Sequence, residues 1–272
     1  MTLRRLFAVA VVLLSMAMTT TGAWAQCAVL PSYTDLKNAL VKAVTDESSG
    51  LNLNMWGTIV ARDGTVCAVA FSGNTVGAQW LGSRVISAQK ANTANLFSLD
   101  SSSFSGTTNS GAANGLALST ANLYSAVQPG GSLFGLQESN PVDTGAAYGG
   151  DSGNYGTATD PMNGTKIGGI NVFGGGLALY GVGKQLVGGV GVSGDTSCAD
   201  HMIAWRVRHN LGLDHLSGVG GVSGDPARPD NIIYDIAENK FGIGGTGVSA
   251  GGFGHPTCIN TTNPPNNLPA VQ

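Results

Sequence analysis

Four histidines and four cysteines carry most of the metal and redox chemistry open to this chain, and their placement is uneven. His201, His209, His215 and His255 all lie after residue 200. Gly150-Asp151-Ser152-Gly153 copies the nucleophile motif of chymotrypsin-like proteases, but that arrangement needs a histidine upstream and none is present. Gly191-Val192-Ser193-Gly194-Asp195 ends on aspartate where a nucleophile elbow needs glycine. Its glycines suit a tight turn from strand to helix, with Ser193 or Thr196 near the cap. Gly183-Lys184 lacks the flanking residues of a phosphate loop. Asp151-Ser152-Gly153-Asn154-Tyr155-Gly156 resembles half of a calcium loop, yet Met162 stands where the bidentate glutamate belongs. There is no C-x-x-C pair and no C-x-x-C-H, which excludes zinc sites of paired spacing and covalent c-type haem.

The most informative segment is the helix that the pattern predicts over 196–211. At 100° per residue, Ile203, Ala204, Val207 and Leu211 share the face that should pack on a sheet. Cys198, Met202, Trp205 and His209 fall opposite, with His201 beside Trp205. A helix that is apolar on both sides is covered on both sides. The cover here is the C-terminal extension, a second copy of the chain in a homo-oligomer, or a flat cofactor. Imidazole and thioether suit haem iron, so His201, Met202 and His209 are the candidate axial donors, with His201 first among them. The bland reading makes them ordinary residues under the tail. His215 and His255 sit in irregular segments and are assigned no role.

Helical spacing over 33–48 (Leu36, Ala39, Leu40, Ala43, Val44, with Thr34 as cap), 79–97 and 114–127 gives three further helices. Two hairpins are expected: 54–61 with 65–71 about Asp63-Gly64, and 177–180 with 185–193 about Gly181–Lys184. Residues 138–168 are rich in Gly, Ser, Asn, Thr and Asp, and a loop this long is functional or covers something. The stretch 213–272 is an irregular Gly/Pro-rich extension, and 260–272 are expected to be disordered.

Arg4-Arg5, the apolar run from Leu6 to Met18 and Ala23-Trp24-Ala25 make residues 1–25 a secretory signal, placing the mature chain in the periplasm or outside the cell. Gln26 before Cys27 argues against a lipid anchor, and no later segment is apolar and long enough to span a membrane. Removing Arg4 and Arg5 leaves 11 basic and 16 acidic residues, net −5, with no basic cluster to hold nucleic acid. All four cysteines follow the cleavage site, and in an oxidising compartment they should form two disulfides. Cys198 lies on the helix face turned from the sheet, and Cys258 in the later segment able to fold over it. That favours Cys198 with Cys258, leaving Cys27 with Cys67.

Several blocks, in order, carry a resemblance: Thr58-Ile-Val-Ala-Arg-Asp-Gly64, Lys90-Ala91-Asn92-Thr93-Ala94-Asn95-Leu96-Phe97, Pro129-Gly-Gly-Ser-Leu-Phe-Gly135, Gly175-Gly176-Leu177-Ala178-Leu179-Tyr180, Leu186–Gly194 and Asp200-His201. Over about 33–212 the chain resembles the GlcG/HbpS-like family, the haem-degrading domain (DUF336-type) proteins. Ala178 stands where that family usually has proline. The resemblance implies an α+β, profilin-like fold, a five-stranded antiparallel sheet with helices on both faces, over 26–212. It also implies a haem or tetrapyrrole ligand, with Lys90, Thr93, Tyr180, Gly175 and Gly176 as contacts by analogy. Two other readings stay open: an enzyme for a small organic acid or aldehyde, held by the backbone N–H groups of 175–176 and 191–194, and a structural oligomer without ligand.

Overall fold

The computed structural model describes residues 26–103, 107–108, 111–112, 114–236, 249–261 and 267–272; the expected signal, 1–25, lies outside them. Helix α1 (Tyr33–Thr45) buries Leu36, Ala39, Leu40 and Ala43. Its cap is Ser32, not Thr34. The Ser32 hydroxyl accepts the Asp35 N–H while the Asp35 carboxylate accepts the Ser32 N–H, a reciprocal pair unavailable to Thr34. Strands β1 (Trp56–Ala61) and β2 (Val66–Phe71) form the first hairpin, turned by Gly64 at φ +85°.

Helix α2 (Ser83–Phe97) starts four residues later than its periodicity suggests, because the Gln79 side chain is bonded back to Thr75 and Val76 carbonyls and Gly82 is the cap. The helix expected over 114–127 does not form. Gly115-Leu116 pairs instead with Leu99-Asp100, and two short 3-10 turns follow, Thr120–Leu123 and Ser125–Val127. Gly115 sits at φ +100° with no room for a side chain against the Leu99 and Asp100 backbone, which is incompatible with a helical turn. After the short helix α3 (Thr144–Tyr148) come β3 (Gly176–Gly181), β4 (Gln185–Ser193) and helix α4 (Ser197–Asn210).

The sheet is antiparallel, in the order β2-β1-β4-β3. It has four strands where the family resemblance implied five. Neither edge finds another strand among the described residues. Beyond β3, Tyr180 exchanges two backbone bonds with Leu213 and His215 in a single parallel bridge. Beyond β2, Val66 exchanges two with Gly164 and Thr165. These neighbours lie in turn-rich segments (Gly164 and Gly212 both have positive φ), so they cap an edge without extending it.

Helices cover both faces. On one, α1 and α4 enclose a core that includes Leu36, Leu40, Ile59, Leu177, Val190 and Val192. On the other, α2 packs its Val85, Ala88 and Ala91 with Trp56 and Val60 of β1. The long polar loop finishes that second core with Ala147, Met162 and Ile167. It is fastened by Asp160, whose carboxylate accepts both Nε and Nη2 of the buried Arg84.

The described residues of the C-terminal extension are also packed, including 267–272, contrary to the disorder expected over 260–272; residues 262–266 of that stretch lie outside the described residues. Leu268 and Val271 are buried, and Gln272 bonds both Asp214 and Ser217 through its backbone. Trp205 of α4 donates its indole N–H to the Pro269 carbonyl at 2.9 Å. Buried Arg208 and Asp230 form a bidentate pair at 2.6 and 2.9 Å. The cysteines are bonded Cys27–Cys67 and Cys198–Cys258. No helix among the described residues is long and apolar enough to cross a membrane.

Strand β4 is glycine-rich because α2 lies directly on its backbone. A methyl group at Gly191 would overlap the Ser87 carbonyl and approach Ala91 N to 2.5 Å, and one at Gly189 would overlap the Ala91 carbonyl. Gly191→Ala is therefore expected to destabilise the fold by about 3 kcal/mol or more, through overpacking against main chain that cannot yield. Gly82→Ala meets nothing within 4 Å and should stay within about 0.5 kcal/mol of the parent. Urea denaturation of the two variants checks this; equal midpoints would refute the close approach.

Candidate functional site

The α2–β4 contact sets the depth at which Lys90 enters the molecule. Its side chain is fully buried, and Nζ donates to Asp200 Oδ2 at 2.6 Å, Val192 O at 3.1 Å and Ser193 Oγ at 3.3 Å. Asp200 lies in the first turn of α4, where a carboxylate is favoured by the helix dipole, and its Oδ1 accepts the N–H groups of Gly194 and Asp195. Burial pushes the Lys90 ammonium down and lifts Asp200 to about 6, while their mutual attraction opposes both shifts. With three bonds from the ammonium and both carboxylate oxygens engaged, the two are an ion pair at neutral pH.

The glycine run 174–176 closes over this pair. A Cβ on Gly175 (φ +111°) would lie 3.0 Å from Asp200 Cβ and 3.3 Å from Lys90 Nζ; one on Gly176 would lie 2.5 Å from the Lys90 carbonyl. Three amides of this region are already engaged within the fold. Gly174 N–H donates to Ser197 Oγ at 2.6 Å, Gly176 N–H to Thr120 Oγ1 at 2.8 Å, and Gly194 N–H to Asp200.

The residue of α4 that follows Asp200 is His201, fully buried, with Asn231 and Ile232 against its ring. Its Nε2 lies 3.2 Å from both the Ile232 amide and Asn231 Oδ1, and its Nδ1 has no hydrogen-bond partner. The Trp205 ring is 6.0 Å away, centroid to centroid. Burial holds the imidazole down to about 4, so it is neutral. One turn before His201 on the same face of α4, Ser197 Oγ is 2.7 Å from His255 Nε2, and His255 Nδ1 is 2.6 Å from the Pro256 carbonyl. His255 is likewise pushed down to about 4 by burial.

The contacts anticipated by analogy are only partly brought together. Lys90, Gly175 and Gly176 meet Asp200 in one cluster, and His201 follows Asp200 directly on α4. Thr93 is bonded to Gln89 O and Asn171 N–H. Tyr180 gives its hydroxyl to the Leu99 and Leu116 carbonyls, and burial raises its pKa further. Met202 is core, and His209 pairs with Asp214 at 2.8 Å toward the far end of α4. Asp200, Ser197, Asn231 and His255 were given no role from sequence. His255 carried one usable signal, its place three residues before a cysteine expected to bond back to α4.

Residues 34–208 match the family model described as "Haem degrading protein HbpS-like". The chain belongs to the HbpS-like family. Solved structures similar to it include Klebsiella pneumoniae protein ORFY, 23% identical with TM-score 0.40, covering 65% of this chain and 86% of that one. Another is a PduOC:heme complex, 22% identical with TM-score 0.41, covering 67% and 96%. A Streptomyces reticuli HbpS double mutant is 14% identical with TM-score 0.38, covering 71% and 88%. No curated protein matches the chain. The family match ends at 208, so most of what covers His201 lies beyond it.

The buried groups make stability depend on pH. An unfolded histidine titrates near 6.5, whereas His201 and His255 do so at about 4. Between these values the unfolded chain holds more protons, so acid favours unfolding. Asp200, raised to about 6, acts oppositely below that pH and offsets one of the two protons. Stability should therefore fall by about 1.4 kcal/mol per pH unit from pH 6 to 4. His201→Gln should flatten this slope to near zero. Denaturant titrations across the range check it, and an unchanged slope in the variant contradicts the assignment.

Proposed function

We propose that this HbpS-like protein is exported and binds haem or a related tetrapyrrole without covalent attachment, to sequester, sense or carry it. The observation that carries the reading is the His201 imidazole: buried, neutral, and with one ring nitrogen unpartnered in a chain of this family. An orphaned buried polar atom costs about 1–3 kcal/mol, and a neutral imidazole is the form that ligates iron. The donor chemistry of His201 thus fits an iron-bearing group. Haem, when bound, supplies an iron centre with open axial positions. The chain's part would be to donate an imidazole nitrogen from α4 and shield the plate with Trp205. Asn231 and Ile232 hold the other ring nitrogen, Nε2, and the whole ring is buried, so binding at Nδ1 requires the covering segment to lift. Two disulfides and the apolar N-terminal segment support an oxidising compartment.

Haemin titration of the mature protein tests the reading. A saturable Soret shift is expected, with quenching of Trp205 fluorescence. His201→Ala should weaken binding at least tenfold and move the band. Identical curves for the two proteins would remove His201 as ligand. No spectral change with haemin or with an iron-free porphyrin would remove the function.

A further inference from the structure

Cys198, His255 and Cys258 meet where α4 begins and the tail crosses it. Their donor atoms, two sulfurs and a ring nitrogen, all lie within 4.8 Å of one another, and His255 Nδ1 is 4.0 Å from Cys198 Sγ. We propose that, once the Cys198–Cys258 disulfide is reduced, these three side chains bind a divalent metal of the Zn²⁺ type, so that disulfide and metal are alternative occupants of one site. No C-x-x-C spacing announces it, because the ligands come from separate elements and converge only in the fold.

Four features of the surroundings support this. Two thiolates and one imidazole are an N/S set that Zn²⁺ prefers, with a fourth position left for water. The charges cancel: two thiolates balance one dication, so the loaded site buries no net charge. The Cys198 N–H, in the first turn of α4, donates to Cys258 Sγ at 3.3 Å, and a helix start favours a thiolate there. The ring nitrogen of His255 facing away from the sulfurs already has a partner, Ser197 Oγ at 2.7 Å, the kind of outer contact that orients a ligating imidazole. Nδ1 would give up the proton it donates to the Pro256 carbonyl and take the metal, while Nε2 gains a proton and donates it to Ser197 Oγ, so the ring stays neutral.

The electron count closes with an external dithiol. It gives two electrons and two protons, its own disulfide forms, the Cys198–Cys258 bond breaks, and two thiols result. The metal then takes both sulfurs as thiolates and two protons leave to solvent. A disulfide-bearing oxidant runs the sequence backwards and expels the metal. In either state Cys258 stays pinned to α4.

Co²⁺ is the probe for the experiment. Mature protein is reduced with a phosphine, freed of excess reductant without oxygen, and titrated with Co²⁺ alone. A thiolate-to-cobalt absorption band should saturate at one equivalent and disappear when Zn²⁺ is added. The band should be absent from oxidised protein and from Cys198→Ser, and present in the Cys27→Ser, Cys67→Ser double variant. His255→Ala should weaken Co²⁺ binding at least tenfold. The proposal is overturned by no band in reduced protein, by a band that His255→Ala leaves at full affinity, or by one that follows Cys27 and Cys67. Circular dichroism is recorded alongside. If the reduced chain unfolds and Co²⁺ restores neither fold nor band, the proposal fails as well.

Discussion

The buried Lys90–Asp200 cluster follows from one contact, the seating of α2 on the bare backbone of β4. Gly189 and Gly191 let the helix approach until carbonyl and strand touch, and Ser87, Ala88 and Ala91 keep the helix side equally thin. Only at that separation does a lysine one turn along reach past the strand to a carboxylate on α4. The glycines are costly for a strand in conformational entropy, and the cost is offset by the two-sided core that close packing creates.

Three buried ion pairs extend that framework into the irregular parts of the chain. Arg84–Asp160 fastens the long loop, Lys90–Asp200 joins α2 to α4, and Arg208–Asp230 fastens the extension. Such pairs contribute little net stability, but breaking one by removing a partner costs about 3–5 kcal/mol. Their effect is to give Gly/Ser/Asn-rich segments, which lack enough apolar residues to choose a path, one path over others. Arg84–Asp160 and Arg208–Asp230 each tie a segment without a periodic pattern to a helix that has one, which is where an added constraint is needed.

That division explains what could be read from the amino-acid sequence. Both hairpins and the helices α1, α2 and α4 announce themselves through spacing, because alternation and 3.6-residue periodicity are local. The two faces of α4 were legible for the same reason, and so was the need for something to cover the outer one. The helix expected over 114–127 failed because its apolar residues answer to a tertiary demand, the pairing of Gly115-Leu116 with Leu99-Asp100. The order of the final residues was hidden for a similar reason. Leu268 and Val271 look like stray apolar residues until Trp205 and Asp214 are brought beside them. Asp200 and His255 could not be assigned roles because their partners, Lys90 and Ser197, are distant in sequence and close only in space.

The described part of the 213–272 extension behaves, physically, as a tethered occupant of the outer face of α4. Cys258 is covalently fixed at one end of that helix, and Pro269 touches Trp205 only 269 − 258 = 11 positions later. A tether this short holds its segment at an effective concentration on the order of millimolar. A free molecule present at micromolar concentration and seeking the same face must then bind it about a thousandfold more tightly than the tail does to share it equally. Selectivity for strong ligands is thereby set by chain connectivity, before any contact with the ligand itself is considered.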